Sequence, residues 1–181
     1  MKKIVIALVM IGAAQLAQAQ KYMTRTGKVS FFSATKIENI EAFNNESAAI
    51  LDSKSGDLVF QIPIKSFKFE KALMQEHFNE NYMESDKFPK SEFKGKVDNI
   101  NAVNFSKDGT YPVTVSGNMT IHGVTKKVQT KGTVKVAGKS VTLNSQFNVK
   151  PADYGIKIPS VAAGKIASSI QVTVASTLKA I

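Results

Sequence analysis

Chemistry in this chain would have to come from two histidines, fourteen acidic side chains and no cysteine. Without a thiol there is no thiolate nucleophile, no thiolate metal site and no disulfide. A zinc site or an acid–base pair would need the imidazoles close together with carboxylate support. His77 and His122 stand 45 residues apart, and no H-E-x-x-H joins them. No G-x-S-x-G and no glycine-rich phosphate cradle is present. The carboxylates are scattered, with no pair that suggests glycosidase geometry. His77 falls in a helical segment and His122 in an Ile-His-Gly turn, and each is expected to be structural. The chain is therefore expected to be no enzyme and to carry no metal and no cofactor. Lys126, Lys127, Lys131 and Lys135 cluster along one hairpin, but no aromatic side chains interleave with them to stack bases. Nucleic acid is not an expected partner.

The elements that would hold any site are mostly strands. Tyr111, Val113, Val115, Met119 and Ile121 alternate with Thr110, Thr114, Ser116, Asn118 and Thr120. A period of two puts the first set on one face and the second on the other. Val128, Val134 and Val136 alternate with Gln129, Lys131, Thr133 and Lys135. Val141, Leu143, Phe147 and Val149 repeat the pattern, as do Ile170, Val172 and Val174, and Leu58, Phe60, Ile62 and Ile64 share a face. Less regular strands are expected near 27–34, 37–44, 47–52 and 93–103. Glycine-bearing turns at 53–57, 107–109 and 137–139 imply antiparallel neighbours. About eight strands, each apolar on one face, need a partner for that face. An up-and-down barrel supplies one, and so does a two-sheet sandwich; periodicity leaves both open. Over 70–83 the pattern changes. Leu73, Met74, Phe78 and Tyr82 match one helical face, and Pro89 stops the helix before the next strand. Such a helix either plugs a barrel end or lies as a lid over an entrance.

The first nineteen residues read as a leader. Lys2 and Lys3 precede an eleven-residue apolar run from Ile4 to Ala14, and Ala17-Gln18-Ala19 is a small-x-small cleavage site. Residues 1–19 are expected to be removed on export, leaving one domain over 20–181 outside the cytoplasm. With no cysteine after the leader, no lipoprotein anchor is expected. The leader holds two of the 24 basic and none of the 14 acidic residues, so the net charge falls from +10 to +8. That charge suits a solvated lysine-rich surface, and also transient contact with an anionic membrane surface.

Three stretches resemble the YceI-like family of bacterial polyisoprenoid-binding proteins. Leu73-Met74-Gln75-Glu76-His77-Phe78, followed by Ser85-Asp86-Lys87-Phe88-Pro89 and Phe93, resembles the family's helix and its aromatic–proline step. Val115-Ser116-Gly117-Asn118-Met119-Thr120-Ile121-His122-Gly123-Val124-Thr125-Lys126 is similar to its glycine and leucine-threonine-x-His-Gly-x-Thr stretch. Phe147-Asn148-Val149 with Asp153-Tyr154-Gly155-Ile156 resembles its aspartate–aromatic–glycine element. The resemblance spans residues 22–178. It implies an all-β, antiparallel, lipocalin-like up-and-down barrel with one amphipathic helix near a barrel end, exported to the periplasm. The partner it implies is a polyisoprenoid or other long-chain lipid held inside. The candidate ligand contacts are Leu73 and Phe78 on the helix, Val113, Val115 and Met119 with Gly117 leaving room between them, Phe147, and Tyr154. The rival expectation is a structural or stress-associated barrel with a filled core and no ligand. Whether the interior is filled or hollow is not written in the periodicity.

Overall fold

The computed structural model describes residues 21–181, so the expected leader lies outside the described residues. The strands are β1 (Lys21–Ala34), β2 (Asn39–Asp52), β3 (Asp57–Pro63), β4 (Lys68–Phe69), β5 (Lys90–Val97), β6 (Gly109–Ile121), β7 (Val124–Ala137), β8 (Ser140–Val149) and β9 (Ile170–Ala180). Long strands follow one another round the sheet as β1-β2-β3-β5-β6-β7-β8-β9, all antiparallel, and β9 pairs back onto β1. The sheet is an eight-stranded up-and-down barrel, which decides against the sandwich. The short β4 pairs with β2 at Ala42 and Phe43, beyond the reach of β3.

The irregular strands depart from expectation for one reason. Residues 37–44 and 47–52 belong to a single strand, β2, and β1 starts at Lys21 rather than Gly27. In β1 the buried set is Tyr22 and Thr24, then Gly27, Val29 and Ser33; in β2 it is Ala42 and Asn44, then Ser47, Ala49 and Leu51. Each strand changes phase once, where their pairing register shifts between Thr24 and Val29. A β-bulge inserts the extra residue that does this. The expected strand over 93–103 is instead β5 followed by a 3-10 turn at Ile100–Ala102.

The bulges place a polar layer across the interior. Asn44, Ser47 and Ser176 are fully buried. Asn44 Nδ2 donates to the Pro63 carbonyl at 2.8 Å, and Asn44 Oδ1 accepts from the Glu46 N–H at 2.9 Å and from Ser47 Oγ at 3.1 Å. Ser176 Oγ donates to the Lys28 carbonyl at 3.0 Å. Buried polar groups are tolerated when bonded in this way. On one side of this layer Tyr22, Leu51, Val136, Val141 and Leu178 form the packed end, into which the β5–β6 connection folds Ile100 and Val103. On the other side a second cluster gathers Val29, Ala42, Ile64, Phe67 and Met83.

Candidate functional site

The second cluster lies under the segment that breaks the strand pattern. The expected helix over 70–83 is an α-helix only at Ala72–His77 (α1), followed by a π-helical turn at Phe78–Tyr82. None of its side chains is fully buried. Its expected apolar stripe lines a cavity instead: Leu73, Met74, Phe78 and Tyr82 all face it. Phe78 packs among three other phenylalanines. Its ring centroid is 5.4 Å from Phe31, 5.6 Å from Phe67 and 5.0 Å from Phe69. Such offset and edge contacts favour aromatic pairs beyond area alone. The four rings come from β1, the β3–β4 connection, β4 and the helical segment, so they tie the cover to the wall.

Beneath and beside them the barrel is hollow. The cavity has a volume of about 1090 Å3, at or above the upper end of ordinary small-molecule sites. It reaches from the mouth down to Val113, Val134 and Leu143, which belong to the first core cluster but face the cavity. Leu51, Val136, Val141 and Leu178 lie outside its wall and close the floor. An eight-stranded barrel is just wide enough to be filled by side chains or to hold one slim ligand; this one does each at a different end.

Of the candidates read from the sequence, Leu73, Phe78, Val113, Val115, Met119, Phe147 and Tyr154 stand on the cavity wall, brought together from α1, its following turn, β6, β8 and the 3-10 turn Pro151–Tyr154. Gly117 does not. It pairs with Gly95 across β5 and β6. A Cβ on Gly117 would lie 2.5 Å from the Lys94 carbonyl, 2.6 Å from Gly95 Cα and 2.8 Å from the Phe93 ring. The room its missing side chain leaves is taken by the neighbouring strand and Phe93, not by the cavity. Sequence reasoning misses the phenylalanines opposite the helix. Phe31 falls in an irregular strand, and Phe67 and Phe69 lie between the elements that periodicity marks.

His122 has a defined place. It and Gly123 form the two-residue β6–β7 turn, with φ of 49° and 75°. That left-handed pair is the geometry that two-residue hairpins require. The ring of Phe88 occupies the space where a Gly123 Cβ would sit, at 2.6 Å, and lies 4.5 Å from the His122 ring. His122 Nε2 bonds Glu84 Oε2 at 2.7 Å and Nδ1 meets the Tyr154 carbonyl at 3.3 Å. One imidazole thus clamps three connections over the open end. Neither His122 nor Glu84 is on the cavity wall, whereas His77 is, at the mouth. Among the described residues no group of three or more His, Cys, Asp or Glu gathers in metal-binding proximity. On the wall, the hydrogen bond from Lys94, then that from Gln61, holds the Glu92 carboxyl below the usual carboxylate range. Burial, then the charge of Asp153, pushes the Tyr154 hydroxyl up.

Three large apolar side chains are exposed round the mouth: Ile37 in the β1–β2 loop, Leu73 in α1 and Val161 in the 3-10 turn Ser160–Ala162. Lys36, Lys71 and Lys165 lie near them in sequence.

No curated protein matches the chain. The fold is shared with a polyisoprenoid binding domain from Saccharophagus degradans implicated in plant cell wall breakdown, at a TM-score of 0.77 and 14% identity over 90% of this chain and 99% of that one. It is also shared with BcnA of Burkholderia cenocepacia, at 0.68 and 16% identity over 83% and 95%. The YceI protein of Campylobacter jejuni matches at 0.57 and 15% identity over 98% and 97%. The YceI-like domain profile matches residues 14–178. The chain belongs to the YceI-like family.

Proposed function

We propose that this YceI-like barrel binds one elongated apolar ligand, a polyisoprenoid or similar long-chain lipid, and performs no chemistry on it. The observation that carries the reading is the cavity, which is deep, walled largely by aliphatic and aromatic side chains, and closed at one end by a packed floor. The likeness in fold to a polyisoprenoid binding domain supports the ligand class. Binding follows from burial. At about 25 cal/mol per Å2, a chain shedding on the order of 300 Å2 of apolar surface gains roughly 7 kcal/mol before association costs. The His122–Glu84 pair stands off the wall, fixed between a ring and a carbonyl, and so is not offered to the ligand as an acid–base pair.

Export belongs to the same reading, motivated by the basic start, apolar run and Ala17-Gln18-Ala19. Mass spectrometry of the exported protein should find Gln20 at its N-terminus, and an intact Met1 would oppose this. Exposed Ile37, Leu73 and Val161 at the mouth suit brief contact with a lipid surface.

The direct test is extraction of lipid from purified protein, followed by mass spectrometry. A long-chain lipid in near-equal amount to protein is expected. Protein that carries no lipid and gains no thermal stability from added polyprenol would favour the alternative of a structural barrel.

A further inference from the structure

The barrel wall is not hydrogen-bonded all the way round. β7 and β8 pair from Ala137/Ser140 only as far as Gly132/Ser145. Beyond that point residues 124–131 keep their partners on β6, and residues 146–149 keep theirs on β9, but the two stretches form no ladder with each other. Ser145 ends the seam: its Oγ donates to the Lys131 carbonyl at 2.8 Å and meets Thr130 Oγ1 at 3.3 Å. At the far end the turn Pro151–Tyr154 closes over, with the Tyr154 carbonyl on His122 and Gly155 beside Val124. What is left between is a stretch of wall without a ladder.

The cavity lining runs along both of its edges. Lys127, Gln129 and Asn148 alternate with Val128, Phe147 and Val149 and are exposed, yet they line the cavity. Lys126 shares its strand face with Val128 and also lines the cavity, but it is exposed. This stretch is amphipathic: Val128, Phe147 and Val149 are half-buried, while Lys126, Lys127, Lys131 and Lys150 are exposed. Among the described residues the ion pairs are made by Lys65, Lys71, Lys94, Lys96 and His122, so none of these four lysines is engaged in one. Asp153 is the acidic residue close by in sequence.

We propose that this unladdered β7–β8 stretch is a window through which the ligand's polar end leaves the barrel. The apolar chain passes between Val128 and Phe147 into the cavity. An anionic head, phosphate or carboxylate, stays outside on Lys126, Lys127 and Lys150 and on N–H groups of the unladdered strand edges. Such edges need a hydrogen-bonding partner, and lysine ammoniums strengthen bonds to an anion. The preferred ligand is then a single-chain lipid with an anionic head, and it can enter sideways without parting the four phenylalanines. This rests on the reading that the cavity holds an apolar chain.

The absence of cysteine makes the test clean. Continuing the Gly132/Ser145 register would set Gln129 opposite Asn148, so Gln129→Cys with Asn148→Cys staples the window when oxidised and frees it when reduced. Should the staple not close, Gln129→Cys alkylated with a bulky maleimide blocks the same opening. The probes are farnesyl diphosphate, palmitate and farnesol, with affinity and association rate measured at low salt. Either anionic probe should bind about tenfold tighter than farnesol, the scale of one charge-assisted hydrogen bond, and the two anionic arms distinguish phosphate from carboxylate. Lys126→Gln with Lys127→Gln and Lys150→Gln should remove the preference while farnesol binding persists. Stapling or alkylation should slow association of all three probes, and reduction should restore it in the stapled protein. Equal affinities together with an unaffected rate would overturn the window while leaving the cavity reading intact. Failure of every probe, farnesol included, to bind the unmodified protein would overturn the cavity reading itself.

Discussion

At the end of the barrel where β1 begins, strands are joined by residues 53–56 and 138–139, and Leu51, Val136, Val141 and Leu178 are sealed from water. At the other end the joins are residues 35–38, 64–89 and 150–169, and Phe31, Phe69 and Phe78 remain half-buried. The same strands run through both. The difference lies in what the connections bring. Short turns hold strand ends together, so small aliphatic side chains interlock at the density of a protein interior. The one longer join at this end, residues 98–108, adds Ile100 and Val103 to the core, lays Phe105 on Tyr22 at 5.5 Å and bonds Asn99 back to Thr114. At the open end the long joins carry large rings on separate elements, which meet one another over the space rather than filling it. Even there two joins are short, residues 35–38 and the His122–Gly123 turn, and the turn serves to anchor the cover. Within a single barrel, then, one end is packed and the other is hollow.

The largest effect should come from the floor. Leu178→Ala removes a fully buried side chain from the packed core, and should cost about 2–5 kcal/mol in chemical denaturation. If it costs no more than truncation of a ring at the mouth, the two ends are not energetically distinct.

Next is the wall where Gly117 meets Gly95. Gly117→Ala should cost about 1–3 kcal/mol by overpacking against the Lys94 carbonyl and Phe93. A neutral result would mean that β5 and β6 separate easily, and that the wall there is softer than the geometry implies.

Phe78→Ala sharpens the contrast from the other side. A fully buried phenylalanine lost to alanine costs about 3–5 kcal/mol; half-buried Phe78 should cost less in the empty protein. Added polyprenol should then raise the melting temperature of the wild type more than that of the variant, because a ligand that binds only the folded state adds stability by mass action. Equal shifts would assign Phe78 to the core alone.

The smallest effect is an alkaline one that each end should show. Tyr22 in the packed end and Tyr154 in the open end both have their hydroxyls pushed above the ordinary 10.0, Tyr22 by burial and Tyr154 by burial and then Asp153. Since folding favours the protonated form, this contribution is complete below about pH 10 and is lost as pH rises through the raised values. Urea midpoints from pH 9 to 11 should fall for the wild type and fall less steeply for Tyr22→Phe and for Tyr154→Phe. Parallel slopes would show that neither hydroxyl titrates differently in the folded state.

The packed end is largely legible in the amino-acid pattern. Val136 and Val141 there, like Val113, Val115, Val134 and Leu143 on the deep wall above them, announce their face by a period of two, because a strand's side chains alternate whatever it packs against. The glycine-marked turns at 53–57, 107–109 and 137–139 all fall at that end, and local backbone geometry alone demands them. The open end is legible only in outline. The helix at 70–83 is visible, but not its change to a π-helical turn at Phe78. The bulges that rephase β1 and β2 leave those strands looking broken, since an inserted residue erases the alternation that identifies a strand. Gly117 reads as spare room; whether space beside a glycine belongs to a cavity or to the next strand depends on what crosses there, and Gly95 with Phe93 does. The meeting of Phe31, Phe67, Phe69 and Phe78, the hollow beneath them and the end of the β7–β8 seam at Gly132/Ser145 leave no periodic trace. Patterning acts between near neighbours and decides which face of each strand turns inward. Closure of eight strands, from residues far apart in the chain, decides how much of the enclosed volume those faces fill.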